Sequence, residues 1–557
     1  MGDQFIPWAI GVNVSSAALV LLFALALGWN RRFGRFVLFD LVTSLFPFAM
    51  LGYLAISDPE LKREIFGVIY IFFIFSKGLL LIWVALANVK DGTDDKRVGG
   101  WILAVSLLNY AAITPWVAFN AWPDADEPHY LLLTHSLVAD HDFDLSNNYS
   151  QRDYKSYYPP DLPDHHSLIN SRGQEFAIHD VGISALLVPG YAAAGRLGAM
   201  VELNIVGALL ALGLYVLAIS IGASQRAAIV AWSLFAFTSP LVVYSSQIYP
   251  EVVGGASSVW AVITFARFVR THRIKFLLLI GFLVGLLPWL SVRYWMVVGP
   301  MLSVVALYVI ARMRGGSKIT AINRLFALIL PVLLSIGLFA LFDLRHYNTA
   351  MPNAGYFLYI KAMRPPMFSP DIYVGLPGLF FDRAYGLLTT APVYILALAG
   401  AWVLVKRRPW VGGAILLPSL TYTLFAGFNL FWYGGWAPPS RYIFLAAALL
   451  APLASLVVLN RAFGFVAWVA GIWSFLVSAG FTAFPLTRYT FWDVNSGALS
   501  QFVRKHFGVD YGTIFPSFIR ASAIDYALAS AWAGAVIACI WLLSQPRTNR
   551  DVISEPF

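Results

Sequence analysis

Long apolar runs recur along the whole chain and determine its class. Runs such as 17–29, 66–87, 201–221 and 326–342, with their flanks, approach the ~20 residues that a helix needs to cross the hydrocarbon core of a bilayer. Polar and charged residues fall mostly between these runs. The pattern predicts roughly fifteen membrane-spanning helices. We therefore expect an all-α polytopic membrane protein.

Composition agrees with this class. The 557 residues are 59% hydrophobic and 12% charged, with a mean hydropathy of +0.71, and a soluble domain carries about twice that share of charge. The net charge of +9 does not indicate a nucleic-acid partner, because no basic segment is interleaved with aromatic residues. Phosphate loops, dinucleotide fingerprints, HExxH and paired CxxC motifs are also missing from the sequence.

Clusters of Lys and Arg between the apolar runs predict the orientation. If the spans alternate, every basic turn falls on one side, which the positive-inside bias assigns to the cytoplasm. These turns lie near positions 31–35, 90–97, 267–275, 312–324, 406–408 and 547–550. The N-terminus is then outside and the C-terminus is cytoplasmic.

Three long connections fall on the outer side, at 120–180, about 345–390 and about 487–524. The first contains six of the nine histidines: His129, His135, His141, His165, His166 and His179. Its periodicity predicts an interfacial helix over 130–138, and a second short amphipathic segment follows over 181–194. We expect this loop to carry function.

The first candidate group opens that loop. It consists of Asp124, Asp126, Glu127 and His129. A carboxylate at headgroup depth could take the proton of a hydroxyl that attacks a lipid-linked donor. These residues could equally be ordinary acids of a hydrated loop, and the pattern does not distinguish Asp124 from Asp126 as the base.

Three further candidates are isolated at outer boundaries. Glu251, after Tyr249 and Pro250, either faces a cavity or snorkels to water. Arg293 is a cation that the positive-inside bias does not explain, so it either binds a phosphate or anchors an aromatic belt. Arg441 follows a Gly- and Pro-rich turn that also presents Trp436, which could stack on a sugar or simply anchor the turn. Arg383, in the second long loop, has the same weak support from the sequence as Arg441.

Oxygen and imidazole side chains of the first loop could bind a divalent ion such as Mg, Mn, Ca or Zn. The candidates are the run Asp140-His141-Asp142-Phe143-Asp144, the pair His165 and His166, and the pair His179 and Asp180. The spacing matches no specific metal motif, and a solvated loop surface explains most of these residues better than a metal site does. His179 and Asp180 are favoured because they precede the return into the membrane.

The ordered set of motifs resembles the GT-C superfamily of membrane glycosyltransferases, in particular the bacterial branch with lipid A aminoarabinose transferases and protein O-mannosyltransferases. The motifs are, in chain order, Asp124-Ala125-Asp126-Glu127-Pro128-His129-Tyr130, Asp140-His141-Asp142-Phe143-Asp144, His179-Asp180, Tyr249-Pro250-Glu251, Gly435-Trp436 and Ser440-Arg441-Tyr442. The resemblance spans 99–452. It departs from the usual plan in having three additional spans, at about 5–88, before the acidic loop.

The resemblance implies a GT-C-like bundle in a bacterial inner membrane, with its active site facing the periplasm, and a set of roles. Asp126 would be the catalytic base with Glu127 as its partner, and Glu251 would orient the acceptor or share the proton. The residues predicted to bind substrate or donor phosphate are Arg293, His129, Tyr249, Arg383, Trp436 and Arg441; the metal pair would be His179 and Asp180.

The predicted function is an inverting transfer of a sugar from a polyprenyl-phosphate donor to a glycan, lipid or protein acceptor in the cell envelope. A lipid-linked oligosaccharide ligase or polymerase and a transporter or flippase are the alternatives. The predicted organisation is an additional helical segment at 1–97, a catalytic module at 98–343 and a variable C-terminal module at 344–557.

Overall fold

The fold is described by a computed structural model over residues 95–164, 167–170, 172–312, 318–363, 371–489 and 496–544, with scattered helical positions between 67 and 86. Eight helices in this part of the chain are long and apolar enough to cross a membrane, and three shorter apolar helices accompany them. The prediction of an all-α polytopic membrane protein is confirmed. Most of the three additional spans at 5–88 lie outside the described residues.

The first half of the bundle alternates long helices with short connecting ones. Its helices are α1 (Asp95–Asn120), α2 (Glu127–Ala139), α3 (Ser146–Gln151), α4 (Gly182–Leu186), α5 (Val188–Ser220), α6 (Gln225–Ala236), α7 (Leu241–Tyr244), α8 (Glu251–Thr271), α9 (Lys275–Gly285), α10 (Leu287–Leu290) and α11 (Trp295–Arg312). The predicted interfacial helix over 130–138 is α2. Helix α5 is broken at Ala194 and Gly195, which leave helical geometry, so its first turns run in a different direction from its membrane-spanning part.

The second half continues in the same manner. Its helices are α12 (Lys318–Tyr347), α13 (Ala354–Met363), α14 (Ile372–Phe381), α15 (Leu387–Thr390), α16 (Tyr394–Arg407), α17 (Pro409–Phe428), α18 (Phe444–Leu450), α19 (Arg461–Ala483), α20 (Ala498–Phe507) and α21 (Ala523–Ser544). The second and third long loops therefore contain short helices. The predicted division of the chain at 97 and 343 stays a prediction.

A small hairpin in the first long loop returns the chain toward the membrane. Strands β1 (Ser167–Ile169) and β2 (Glu175–Ala177) pair antiparallel with Leu168 opposite Phe176. Glu175 and the two residues after it are buried, and the Tyr347 hydroxyl at the end of α12 donates to the Ala177 carbonyl. The hairpin thus fixes the segment that carries His179 and Asp180.

Helix α5 is the centre of the bundle, because α1 and α8 both pack along it. Helix α8 also contacts α9 and α18, and α11 packs against α17. One end of the bundle contains the end of α1, the starts of α8 and α11, and the end of α17. The starts of α1 and α12 and the ends of α5 and α8 lie at the other.

Candidate functional site

Four charged side chains from distant parts of the chain meet at the first of these ends. Arg441 Nη2 lies 2.5 Å from Asp126 Oδ2, and Arg441 Nε lies 3.1 Å from Glu251 Oε1. Arg293 Nη2 lies 3.0 Å from the same Glu251 oxygen. Two carboxylates therefore neutralise two guanidiniums. We call Asp126, Glu251, Arg293 and Arg441 the Asp126 cluster.

A strained turn places Asp126. The preceding Ala125 has φ +53°, in the left-handed region that residues with a Cβ adopt at a cost, and its N–H donates to Asp124 Oδ1. Asp126 then occupies the N-cap position of α2, with Pro128 in the first turn, where its fixed φ suits a helix start. The Asp126 side chain remains 19% exposed, so it is the most accessible member of the cluster.

Glu251 is the first residue of α8, where the helix dipole favours a carboxylate. Its side chain is fully buried. One turn further on, Gly254 leaves room for Tyr294, because a Cβ at this position would lie 2.6 Å from Tyr294 Cε2. The ring of Tyr294 is thereby held against α8 next to the ion pair.

Both arginines are held by aromatic rings as well as by carboxylates. Arg293 Cζ lies 4.0 Å from the centroid of the Tyr442 ring, and Arg441 Cζ lies 4.4 Å from that of Tyr249. Such contacts strengthen with desolvation, and both guanidiniums are buried. The Tyr249 hydroxyl also donates to the Asp124 carbonyl at 3.4 Å, which ties the acidic turn to the start of α8.

The turn before Arg441 requires left-handed backbone. Gly434 and Gly435 have φ +87° and +70°, and Ser440 has φ +64°. A Cβ on Gly434 would also lie 3.1 Å from the Cβ of Arg441. Glycine at this position therefore lets the arginine pass close to the backbone and reach both carboxylates.

Several buried polar atoms around the Glu251–Arg293 pair have no hydrogen-bond partner among the described residues. They are Glu251 Oε2, Arg293 Nη1, Tyr294 OH and Tyr422 OH. Buried polar groups are normally satisfied, and leaving each one unpaired costs about 1–3 kcal/mol. Their grouping beside two guanidiniums indicates a place for a polar ligand.

Glu127 belongs to a different environment from Asp126. Its carboxylate is buried and accepts from the Tyr489 hydroxyl at 2.7 Å and from the Ile248 N–H at 3.1 Å. Burial raises the pKa of Glu127, and the nearby Arg196 and Arg488 counteract that rise. We call Glu127, Arg196, Arg488 and Tyr489 the Glu127 cluster. It binds the acidic turn to the segment that follows α19.

Neither arginine of the Glu127 cluster is saturated by protein partners. Arg488 donates to the Phe481 carbonyl and the Ser246 hydroxyl, and Arg196 donates to the Ala118 carbonyl. Within the described residues, Arg488 Nη2 and Arg196 Nε have no partner. Burial lowers the pKa of Arg488 to about 10, so this guanidinium still carries its charge at neutral pH.

Two histidines of the first long loop, His129 and His179, lie among aromatic rings beside the Asp126 cluster. His129 Nδ1 lies 3.0 Å from the Tyr149 hydroxyl, and the His129 and His179 rings are 6.3 Å apart. Asp180 Oδ1 accepts from Asn353 Nδ2 at 2.8 Å, and burial raises the pKa of Asp180 to about 8.

Within the described residues, no group of three or more His, Cys, Asp and Glu side chains could hold a metal ion. His165 and His166 lie outside those residues. The metal prediction for His179 and Asp180 therefore stays a prediction, and the chemistry considered below uses no metal.

Arg383 and Trp436 are not brought into the Asp126 cluster. Arg383 Nη2 pairs with Asp525 Oδ1 at 3.2 Å, and its backbone N–H donates to the Pro516 carbonyl, so it links the second long loop to the start of α21. Trp436 is 44% exposed in the turn before Arg441. A role for either residue in donor binding stays a prediction.

The sequence reading missed Arg196, Arg488, Tyr489 and Tyr422. The argument that singled out Arg293 applies to the first two as well, because each is a cation at the end of an apolar helix, on the side that the alternation of spans predicts to be outside. Tyr422 gave no comparable signal, since a tyrosine inside a long apolar helix is an ordinary core residue.

Neither a family model nor a curated protein matches the chain. Solved structures do. The oligosaccharyltransferase AglB of Archaeoglobus fulgidus, in complex with an inhibitory peptide and a dolichol-phosphate, superposes with a TM-score of 0.40 at 12% identity over 80% of this chain and 55% of AglB. ArnT of Cupriavidus metallidurans superposes in the apo state with a TM-score of 0.47 at 13% identity, over 80% of this chain and 72% of ArnT.

A second structure of ArnT, bound to undecaprenyl phosphate, superposes with a TM-score of 0.44 at 13% identity, over 81% of this chain and 75% of ArnT. AglB and ArnT are both GT-C superfamily members. This is the superfamily that the sequence motifs resemble. The chain spans little more than half the length of AglB, and at TM-scores below 0.5 these likenesses assign neither an activity nor a site residue.

Proposed function

We propose that the protein is an inverting glycosyltransferase of the GT-C type, which moves a sugar from a polyprenyl-phosphate donor to an acceptor hydroxyl at the outer face of the membrane. The observation that carries this proposal is the bridge that Arg441 makes between Asp126 and Glu251, with Arg293 beside it. A base and two phosphate-binding cations thereby share one buried site.

The two guanidiniums suit the phosphate of the donor. Arginine presents a planar fork of donors that matches phosphate oxygens bidentately. Arg293 Nη1 has no hydrogen-bond partner within the described residues. The hydroxyls of Tyr294 and Tyr422 are two further buried donors without a partner there. In a site of low dielectric these donors stabilise the charge that develops as the phosphate leaves.

Donor binding would also prepare the base. In the unliganded protein Arg441 is held by Asp126, and an incoming phosphate competes for the same guanidinium. When Arg441 turns to the phosphate, the Asp126 carboxylate becomes available to an acceptor hydroxyl. The site would therefore activate its base only after the donor has entered.

The transfer itself needs one base and one leaving group. The acceptor oxygen forms a bond to the anomeric carbon as the bond from that carbon to the phosphate oxygen breaks. Asp126 takes the hydroxyl proton, and the polyprenyl phosphate leaves with the electron pair next to Arg293 and Arg441. Attack opposite the leaving group inverts the anomeric centre.

Glu251 and Glu127 would have separate roles. Glu251 holds both arginines in position through one oxygen. Glu127 fixes the acidic turn by accepting from Tyr489 and Ile248. Both act on the position of the reacting groups, which leaves Asp126 as the proton acceptor.

The test is transfer of radiolabelled sugar from defined polyprenyl-phosphate donors by the purified protein in native lipid extract. Asp126→Asn should lower the rate roughly 10²–10⁴-fold, because it removes the general base while its amide oxygen still accepts from Arg441. Asp124→Asn is the matched control and should stay within a few-fold of wild type.

The opposite ranking of the two variants would make Asp124 the base. Equal rates for wild type and both variants would refute a carboxylate mechanism in this turn. If no donor supports transfer but labelled polyprenyl phosphate crosses protein-containing vesicles, the protein is a transporter.

A further inference from the structure

A groove of about 460 Å³ lies at the end of the bundle opposite the candidate site. Helix α5 forms its floor, and α1 and α8 form its walls. Its lining includes Lys96, Leu103, Leu212, Arg267 and Arg270. The groove therefore combines cationic side chains with apolar ones. The positive-inside bias explains the cations but not the apolar surface next to them.

The polar end of the groove carries excess positive charge. Lys96, Arg267 and Arg270 line it together with one acid, Asp95. That acid is already engaged, because it accepts hydrogen bonds from the Tyr215 hydroxyl at 3.3 Å and from the Gln225 amide. Among the described residues that line the groove, the cations thus outnumber the acid by two, and an anion would be attracted to them.

A further cation stands next to this group. Burial and the nearby Arg270 lower the pKa of Arg408, so positive charges are crowded at this end of the bundle. Arg270 itself is oriented by donating to the Ser220 carbonyl at 3.0 Å, which directs its guanidinium to the end of α5. An arginine held in this way loses less entropy when it binds a ligand.

The apolar part of the groove continues along α5 toward the other end of the bundle. Leu212, Val216 and Ile219 lie on the floor, and Ile205 and Leu209 extend the same helical stripe at 47% and 39% exposure. At 1.5 Å per residue the stripe from 205 to 219 is about 21 Å long. An extended acyl chain of ordinary length fits along it.

We propose that this groove binds one anionic phospholipid, with the phosphate between Lys96, Arg267 and Arg270 and one acyl chain along the stripe on α5. Basic pockets between transmembrane helices are the usual form of such sites. The ligand would touch α1 and α8, whose opposite ends lead to Asp126 and Glu251. The proposal is independent of the glycosyltransferase activity.

The experiment is native mass spectrometry of the purified full-length protein with phosphatidylglycerol and with phosphatidylcholine of the same acyl chains. Wild type should retain one phosphatidylglycerol per chain and bind it at least roughly tenfold more tightly than phosphatidylcholine. Arg267→Gln with Arg270→Gln should weaken phosphatidylglycerol binding roughly 30-fold, because each cation near a lipid phosphate contributes about fivefold.

A steric variant tests the groove without altering charge. A Cβ on Gly100 meets nothing within 4 Å, and glycine is a poor helix former, so Gly100→Leu fills the groove without weakening α1. It should weaken phosphatidylglycerol binding by a similar factor. Gly337→Leu on α12, where the space is also open, is its matched control.

Arg312→Gln with Lys318→Gln is the matched charge control, because both residues are exposed at the same end of the bundle but outside the groove. Both controls should keep wild-type binding. The proposal is overturned if the groove variants retain phosphatidylglycerol as wild type does, or if both lipids bind equally. It is also overturned if glycerol 3-phosphate alone binds as tightly as the lipid, since the site would then hold a free phosphate ester.

Discussion

Asp126 and Glu127 are neighbours in the sequence, and the fold sends them to two different clusters. Asp126 keeps a partly exposed carboxylate that is held by one arginine, whereas Glu127 is buried and accepts from a hydroxyl and a backbone N–H. The difference arises because α2 begins between them, so their side chains leave the backbone in different directions. Adjacent acids in one motif need not share a function.

The two clusters also differ in charge. The Asp126 cluster has two acids and two arginines, so an incoming anion that binds Arg441 competes with a carboxylate. The Glu127 cluster has one acid and two arginines, and it is enclosed by the segments it joins. We interpret the first as the place where chemistry occurs and the second as a support for the acidic turn.

The largest expected effect is on stability, at Glu127. Glu127→Ala removes the acceptor of two donors and the countercharge of the buried Arg488 and the partly buried Arg196, so it should lower the free energy of unfolding by about 3 kcal/mol or more. Glu127→Gln keeps one acceptor oxygen for the Ile248 N–H, and its NH2 group can donate to the Tyr489 hydroxyl, so it should lose less. Thermal unfolding of the purified variants measures this, and equal loss in both would refute the hydrogen-bonding role.

The next effect is on catalysis, at Arg441. Arg441→Lys keeps the charge but cannot bridge Asp126 and Glu251, so the reacting groups lose their relative position and transfer should fall about 100-fold. Arg383→Lys is the matched control outside the Asp126 cluster. Similar losses in the two variants would show that the bridge has no special importance.

A smaller effect is expected at Tyr489. Tyr489→Phe removes one hydrogen bond to a charged group and should destabilise the protein by about 1–3 kcal/mol. Sugar transfer at a temperature where the variant stays folded should remain within a few-fold of wild type. A large drop in transfer with unchanged unfolding would instead place the Glu127 cluster in the reaction.

The smallest effect is a pH dependence. Because burial raises the pKa of Glu127 above the ordinary 4.5, the folded protein holds this proton more tightly than the unfolded chain does. The contribution to stability is present below about pH 4.5 and is lost as pH rises through the raised pKa. The stability of wild type relative to Glu127→Gln should therefore decline over that range, and a constant difference would contradict the direction of the shift.

Local sequence patterns predicted a good part of this arrangement. A charged residue at the boundary of an apolar run is visible without a structure, and Asp126, Glu251, Arg293 and Arg441 were all recognised in this way. Their convergence also agrees with the predicted alternation of spans, which placed all four on one side. Whether that side is the outer one stays a prediction.

The pairing of these charges could not be predicted, because it depends on packing between distant segments. Nothing in the sequence distinguishes Arg441, which reaches two carboxylates, from Arg383, which pairs with Asp525. Arg488 lies at the start of the third predicted loop, and the sequence alone does not show that it is fully buried and close to Glu127. Hydrophobic periodicity predicts how deep in the membrane a residue lies far better than it predicts which residue it pairs with.

The separation of the paired residues along the chain has a consequence for biosynthesis. Asp126 and Arg441 are 315 residues apart, and Glu127 and Tyr489 are 362 apart. At about 5–20 residues per second, roughly 15 to 60 seconds pass between synthesis of Asp126 and synthesis of its arginine. Until then Asp126 lacks the guanidinium that neutralises it, whereas Glu127 can already accept from the Ile248 N–H. A chain that stops before residue 441 would present Asp126 without this ion pair at the membrane surface, which is a feature that quality-control proteases could recognise.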